Sequence, residues 1–76
     1  MSDTLWGYVN NPAQLGAFLR NLRLQRGITQ DQLAEDLGIT RQYLVDLEKG
    51  RPTLYSKRLF ALLRLLGARL KVEAGA

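Results

Sequence analysis

The chain has 76 residues, eleven basic and seven acidic side chains, a formal charge of +4, and neither cysteine nor histidine. That length buries one modest core and makes one domain, near the size at which a second copy supplies missing burial. Without thiols or imidazoles there is no disulfide framework and no zinc or triad chemistry, and no nucleophile, base and ligand set converges, so neither an enzyme nor a metal or cofactor is expected.

The first eleven residues carry no helical period, but Leu5, Gly7 and Val9 alternate with Trp6 and Tyr8. A short extended arm fits that alternation, with disorder as the competing reading. Trp6 and Tyr8 then serve as packing residues of the arm or as anchors for a protein partner. Asn11 and Pro12 open a first helix as cap and first residue, with Leu15, Phe18, Leu19 and Leu22 as its apolar stripe, Arg20, Arg23 and Arg26 on its outer side, and an end near Gly27. Thr29 caps a second helix in which Leu33, Ala34 and Leu37 share one face, and Gly38 stops it. Thr40 caps a third, with Leu44 and Leu47 inward, Ile39 sealing the turn below, and Gly50 at the end. Its outward set is Arg41, Gln42, Val45, Asp46 and Lys49.

After a turn at Arg51-Pro52-Thr53, a fourth helix is expected from about Leu54 to Leu66. Leu59, Phe60, Ala61, Leu62, Leu63, Leu65 and Leu66 surround nearly its whole circumference, so one side faces its own core and another faces a second molecule. Beyond Gly67, Ala68 to Glu73 alternate with period two and read as one strand. A lone strand must pair, either with its copy in a partner subunit or with the N-terminal arm. The organisation is an arm (1–11), a four-helix domain (12–67), and a C-terminal strand and tail (68–76).

Two capped helices joined by a tight turn, the second offering hydrogen-bonding side chains near its N-terminus, form a helix-turn-helix, whose second helix enters the DNA major groove. The run QLAEDLGITRQYLVDLEKGR resembles the Cro and lambda-type repressor domains of the XRE family, and the likeness extends from the Arg23 region to Gly67, about two thirds of the chain. The piece LFALLRLLGARLKVE is similar to the final helix and dimerising strand of HipB-type antitoxins, which pair with HipA-like kinase toxins. The resemblance implies an all-α, four-helix Cro/repressor-like domain whose short C-terminal strand pairs in a dimer. The implied function is a sequence-specific, autoregulating repressor that binds a palindromic operator in double-stranded DNA as a homodimer and acts as the antitoxin of a HipA-like kinase. A solo phage-type repressor and an interaction module that does not bind DNA are the alternatives.

Carried over by position, Arg41, Gln42, Val45 and Asp46 face base edges, with Arg41 suited to guanine and Gln42 to adenine. Gln30, Thr40, Tyr43, Lys49, Arg51 and Lys57 are implied on the DNA backbone, Gln30 because a helix N-terminus attracts an anion. Arg23 and Glu48 match an internal salt bridge, and Phe60, Leu63, Leu66, Leu70 and Val72 are the implied dimer interface. Two positions depart from the pattern. Tyr43 is bulky, and Asp46 puts a carboxylate where many relatives carry Arg, Lys or Gln, which lowers generic affinity or accepts from a cytosine amino group. No stretch is long and apolar enough to span a bilayer and the N-terminus lacks the order of a signal peptide, so a cytoplasmic protein with no membrane partner is expected.

Overall fold

Five side-chain hydrogen bonds mark where the helices begin. In the computed structural model, which describes residues 5–75, the order is β1 (Leu5–Val9), α1 (Pro12–Gln25), α2 (Gln30–Leu37), α3 (Arg41–Glu48), α4 (Leu54–Leu65) and β2 (Leu70–Ala74). Asn11 Oδ1 accepts from the Gln14 N–H at 2.8 Å, Thr29 Oγ1 from Gln32 at 3.1 Å, and Thr40 Oγ1 from Tyr43 at 3.0 Å. At α4 the exchange is reciprocal: Thr53 Oγ1 accepts from the Ser56 N–H at 3.1 Å and Ser56 Oγ from the Thr53 N–H at 2.9 Å. Each cap satisfies an N–H that the helix leaves without a partner and is worth about 1 kcal/mol. Gly38, at φ +69°, takes the left-handed conformation that turns the chain from α2 towards α3.

The C-terminal strand finds its partner within the chain. β2 pairs antiparallel with β1, from Leu5 opposite Ala74 to Val9 opposite Leu70: of the two partners left open by the sequence it takes the N-terminal arm, so the four helices carry a two-stranded sheet where the resemblance implied an all-α domain with a strand pairing in a dimer. The reason lies in matching faces. Leu5, Gly7 and Val9 meet Leu70, Val72 and Ala74 on one side of the ribbon, which is half to fully buried, and Trp6, Tyr8, Lys71 and Glu73 stand on the exposed side. Pairing the two ends buries one continuous apolar face, where a lone strand would bury none. Arg26 Nη2 adds a tie across the ends by donating to the Gly75 carbonyl at 2.7 Å. On the exposed side the Trp6 and Tyr8 rings meet edge to face at 6.0 Å, with Lys71 Nζ 4.9 Å from the Trp6 ring centre and the Arg69 guanidinium 4.3 Å from that of Tyr8.

Val9, Ala34, Leu44 and Phe60 form the buried apolar centre, and several expected orientations change around it. Phe60, implied at a dimer interface, is 3% exposed in the chain's own core. Leu63, Leu70 and Val72 are half-buried in the same chain, and of that set only Leu66 is open. The outer face of α4 instead carries Leu54, Tyr55, Leu62, Leu65 and Leu66, with Leu65 85% exposed. Leu37 and Leu47, expected inward, are exposed, so the inward positions of α2 and α3 are Ala34, Leu44 and Glu48. Arg23, expected on the outer side of α1, is buried.

Burial of Arg23 and Glu48 is the main polar feature of the interior. Arg23 Nε lies 2.6 Å from Glu48 Oε2 and Nη2 lies 3.1 Å from Oε1, a two-pronged pair from α1 to the last residue of α3. Arg23 Nη1 also donates to the Ile28 carbonyl at 2.8 Å, and Gln30 Nε2 to Glu48 Oε1 at 3.1 Å. The salt bridge implied by family resemblance is therefore present, and it reaches α2 as well. Hydrogen bonding from Arg23, helped by Gln30 and opposed by burial, holds the Glu48 carboxyl below the usual carboxylate range, and the same bond raises Arg23.

Gly16 sits where α1 crosses the end of α3. A Cβ there would lie 2.6 Å from the Glu48 carbonyl oxygen and as close to that of Leu47. Two outcomes follow from this packing. Glu48→Gln is expected to destabilise the domain by roughly 3 kcal/mol near pH 7, because it leaves a buried guanidinium without its counter-charge. Since the folded carboxyl titrates below its unfolded value of about 4.3, the wild-type advantage is whole above that pH and shrinks as the pH falls through the folded titration, while Arg23 stays charged throughout. Denaturant melts of both proteins at a series of pH values check this, and a gap that does not narrow in acid contradicts it. Gly16→Ala, which in an ordinary helix interior gains about 1 kcal/mol, is expected to lose about 1–3 kcal/mol here because backbone must move. A thermal melt reads the sign.

Candidate nucleic-acid interface

α3 is held from behind, which leaves its other side for contact. Leu44 and Glu48 face the core, and Arg41, Gln42 and Lys49 are exposed while Val45 and Asp46 are half-buried. These five fall at i, i+1, i+4, i+5 and i+8, one side of a helix. Thr40 is occupied as the α3 cap, so its hydroxyl already accepts a hydrogen bond.

Most of the charged groups on this side are already engaged. Arg41 Nε lies 3.5 Å from Asp31 Oδ1 in the first turn of α2, with both side chains largely exposed. Asp46 Oδ1 accepts from Gln42 Nε2 at 3.0 Å and lies 3.1 Å from Arg51 Nη1. Exposed pairs like these are worth about 0–1 kcal/mol and exchange readily for a phosphate or a base edge. The arrangement therefore orients the side chains without removing them from contact.

Around α3, further expected residues are placed as follows. Lys49 is the exposed C-cap of α3 and Lys57 is exposed in the first turn of α4. Tyr43, Asp46, Arg51 and Thr53 line one shallow concavity beside the helix. Gln30 is engaged in one respect: one N–H of its side-chain amide donates to Glu48, which leaves the other N–H for a phosphate. α2 also offers an anion the first backbone N–H groups of the helix, ahead of Gln32 whose N–H the Thr29 cap takes, with the helix dipole behind them.

Three contacts were not singled out in the sequence. Asp31 and Arg41 are ten residues apart and meet only because α2 packs on α3, so no local pattern announces them. Gly16 gives no signal either, since its neighbours are backbone atoms of another helix. The Gln42–Asp46 bond did have one: a spacing of four on a helix brings such side chains together.

Comparison with known proteins agrees with this geometry. Residues 14–74 match the family model described as a helix-turn-helix domain, a span that takes in all of α2 to β2 and most of α1. The chain is 33% identical over 66 residues to a Sinorhizobium fredii protein named as an uncharacterized HTH-type transcriptional regulator, y4mF, covering 87% of each chain. It is 44% identical over 50 residues to an uncharacterized HTH-type transcriptional regulator of Methanothermobacter thermautotrophicus, covering 66% of this chain and 68% of that one. A Bacillus phage phi105 protein, the ImmF control region 10 kDa protein, is 34% identical over 59 residues, 78% of this chain and 66% of its own. No solved structure matches the chain significantly. With α2, the left-handed turn at Gly38 and the outward face of α3 all inside the matched span, the chain belongs to the helix-turn-helix domain family.

Proposed function

We propose that the chain is a sequence-specific transcriptional repressor that binds double-stranded DNA through α3. The observation that carries this reading is the side of α3 from Arg41 to Lys49, polar and turned away from the core, flanked by the N-terminus of α2 and by the cations Arg51 and Lys57. Arg41, Gln42 and Val45 are the base-reading positions, with donor, amide and apolar contacts suited to guanine, adenine and the thymine methyl group. Tyr43, Lys49, Arg51, Lys57 and the first-turn amides of α2 take the phosphates, which set orientation and salt dependence. The names of the two HTH-type relatives support the same assignment.

The working unit is a homodimer joined through the outer face of α4. Leu54, Tyr55, Leu62, Leu65 and Leu66 make an apolar stripe too large for an isolated 76-residue chain to leave in water without cost. A two-fold pair sets two copies of α3 on half-sites of a palindrome about 34 Å apart or a multiple of that. The likeness of the last helix and strand to HipB-type antitoxins supports a second role, restraint of a HipA-like kinase toxin with control of its own promoter. The phage control-region relative favours a solo repressor instead, and a kinase-like reading frame beside the gene separates the two.

Replacing Arg41 and Gln42 together by alanine is expected to erase preference among duplex sequences and to leave the circular dichroism spectrum unchanged. Competition binding measured at about 50 and 200 mM salt reads both terms, since each phosphate neutralised steepens the decline. Selectivity that survives the double substitution removes both residues from readout, and affinity indifferent to salt favours a protein-interaction module. For the dimer, the wild-type chain is expected to sediment at twice 8.6 kDa, and Leu65→Glu, at an open position, is expected to sediment as a folded monomer. A wild-type monomer at micromolar concentration contradicts the assembly.

A further inference from the structure

Asp46 is the one acidic side chain on the outward side of α3, and its bonds give it a part other than reading a base. One oxygen, Oδ1, takes both the Gln42 amide at 3.0 Å and the Arg51 guanidinium at 3.1 Å. The main chain reinforces the second contact, because the Arg51 N–H donates to the Asp46 carbonyl at 3.0 Å. A cytosine amino group would find only Oδ2 open, on a carboxylate whose other oxygen already accepts twice and is held by those two contacts. We infer, on the basis of the DNA-binding reading proposed above, that Asp46 is a positioning residue that sets base preference by locking the orientation of the Gln42 amide.

The chemistry of the two groups decides that orientation. A carboxylate only accepts hydrogen bonds, so the end of Gln42 that meets it must be the Nε2 amino group. Oε1 is thereby turned away from Asp46, and one N–H of the amide remains free beside it. An acceptor next to a donor is what the adenine major-groove edge requires, its N6 amino group donating and its N7 accepting. Rotation about the last side-chain torsion of glutamine has two broad, nearly equivalent positions. Without Asp46 the amide of this exposed residue turns over and presents either end. Arg51 completes the device by holding the carboxylate in place and offsetting its charge next to DNA phosphates.

The test uses the whole chain and a pool of duplexes with a randomised central segment, from which bound sequences are recovered and counted for the wild type, Gln42→Ala, Asp46→Ala and Asp46→Asn. The base pair whose preference is lost in Gln42→Ala is expected to be an A·T pair, and Asp46→Ala is expected to lower the preference there by roughly tenfold or more, the scale of one two-pronged contact. Asp46→Asn keeps an oxygen that can accept from Gln42 but not the charge that pairs with Arg51, so it should retain the preference to within a few-fold. The inference is overturned if Asp46→Ala keeps the wild-type preference at that pair, if it alters a different pair that Gln42→Ala leaves intact, or if Asp46→Asn loses as much as alanine. A wild-type pool with no enriched sequence overturns the DNA-binding reading and this inference together, whereas an enriched sequence untouched by Asp46→Ala overturns only the latter. A second measurement needs no DNA: in the free protein the side-chain amide of Gln42 should show a heteronuclear NOE nearer the backbone value than those of exposed Gln25 and Gln32. Equal mobility of the three would overturn the lock.

Discussion

The buried pair of Arg23 and Glu48 is the constraint on which the placement of α3 depends. It joins the last turn of α1 to the last residue of α3, and through Gln30 and the Ile28 carbonyl it also fixes the start of α2. Three helices thus converge on one carboxylate and one guanidinium. Two charges withdrawn from water are costly unless they are paired and hydrogen-bonded, and here the fork, the Gln30 amide and the Ile28 carbonyl engage all three guanidinium nitrogens and both carboxylate oxygens. A network satisfied in only one geometry selects the angle at which α3 leaves the core, and Gly16 lets α1 come close enough for the prongs to reach.

A rigid seat for α3 matters because base readout depends on the helix entering the groove at a fixed depth and register. The outward side chains are arranged in a second, weaker layer. Asp31 holds Arg41, and Asp46 holds Gln42 and Arg51. These contacts are exposed and individually small, so they exchange for DNA, yet they restrict where flexible side chains point before DNA arrives. The interior pair sets the backbone, and the surface pairs set the hydrogen-bonding groups. Acidic residues next to a polyanion site, which on charge alone look unfavourable, find a physical use in that division.

Along α4 the same chain carries an apolar excess. The core takes Phe60 and part of Leu59 and Leu63 from α4, with Val9 and Leu70 of the ribbon beside Phe60 and Leu63, and Leu65 and Leu66 are left exposed. A small domain has more apolar helix surface than core to receive it. The surplus is gathered along one stripe of exposed residues, Leu54, Tyr55, Leu62, Leu65 and Leu66.

The sequence by itself determined the features that depend on neighbours within a turn or two. Asn11, Thr29 and Thr40 announce three helix starts, Gly38 marks the turn, and the spacing from Arg41 to Lys49 picks out one side of α3; the structure has each of these. Where contacts run between distant residues, tertiary structure alone decided. Period-two alternation from Ala68 to Glu73 specifies a strand but not its partner, because any edge with a matching apolar face will do, and β1 supplied it. A helix apolar all round has no direction to read, so which leucines of α4 are core was settled by where α1 and the ribbon press on it. From its helix face Arg23 reads as a solvated side chain, and only the family resemblance pairs it with Glu48, twenty-five residues on, which the fold brings beside it. Local chemistry fixes caps and periods because their partners are a few bonds away; burial and charge pairing wait for the chain to return on itself.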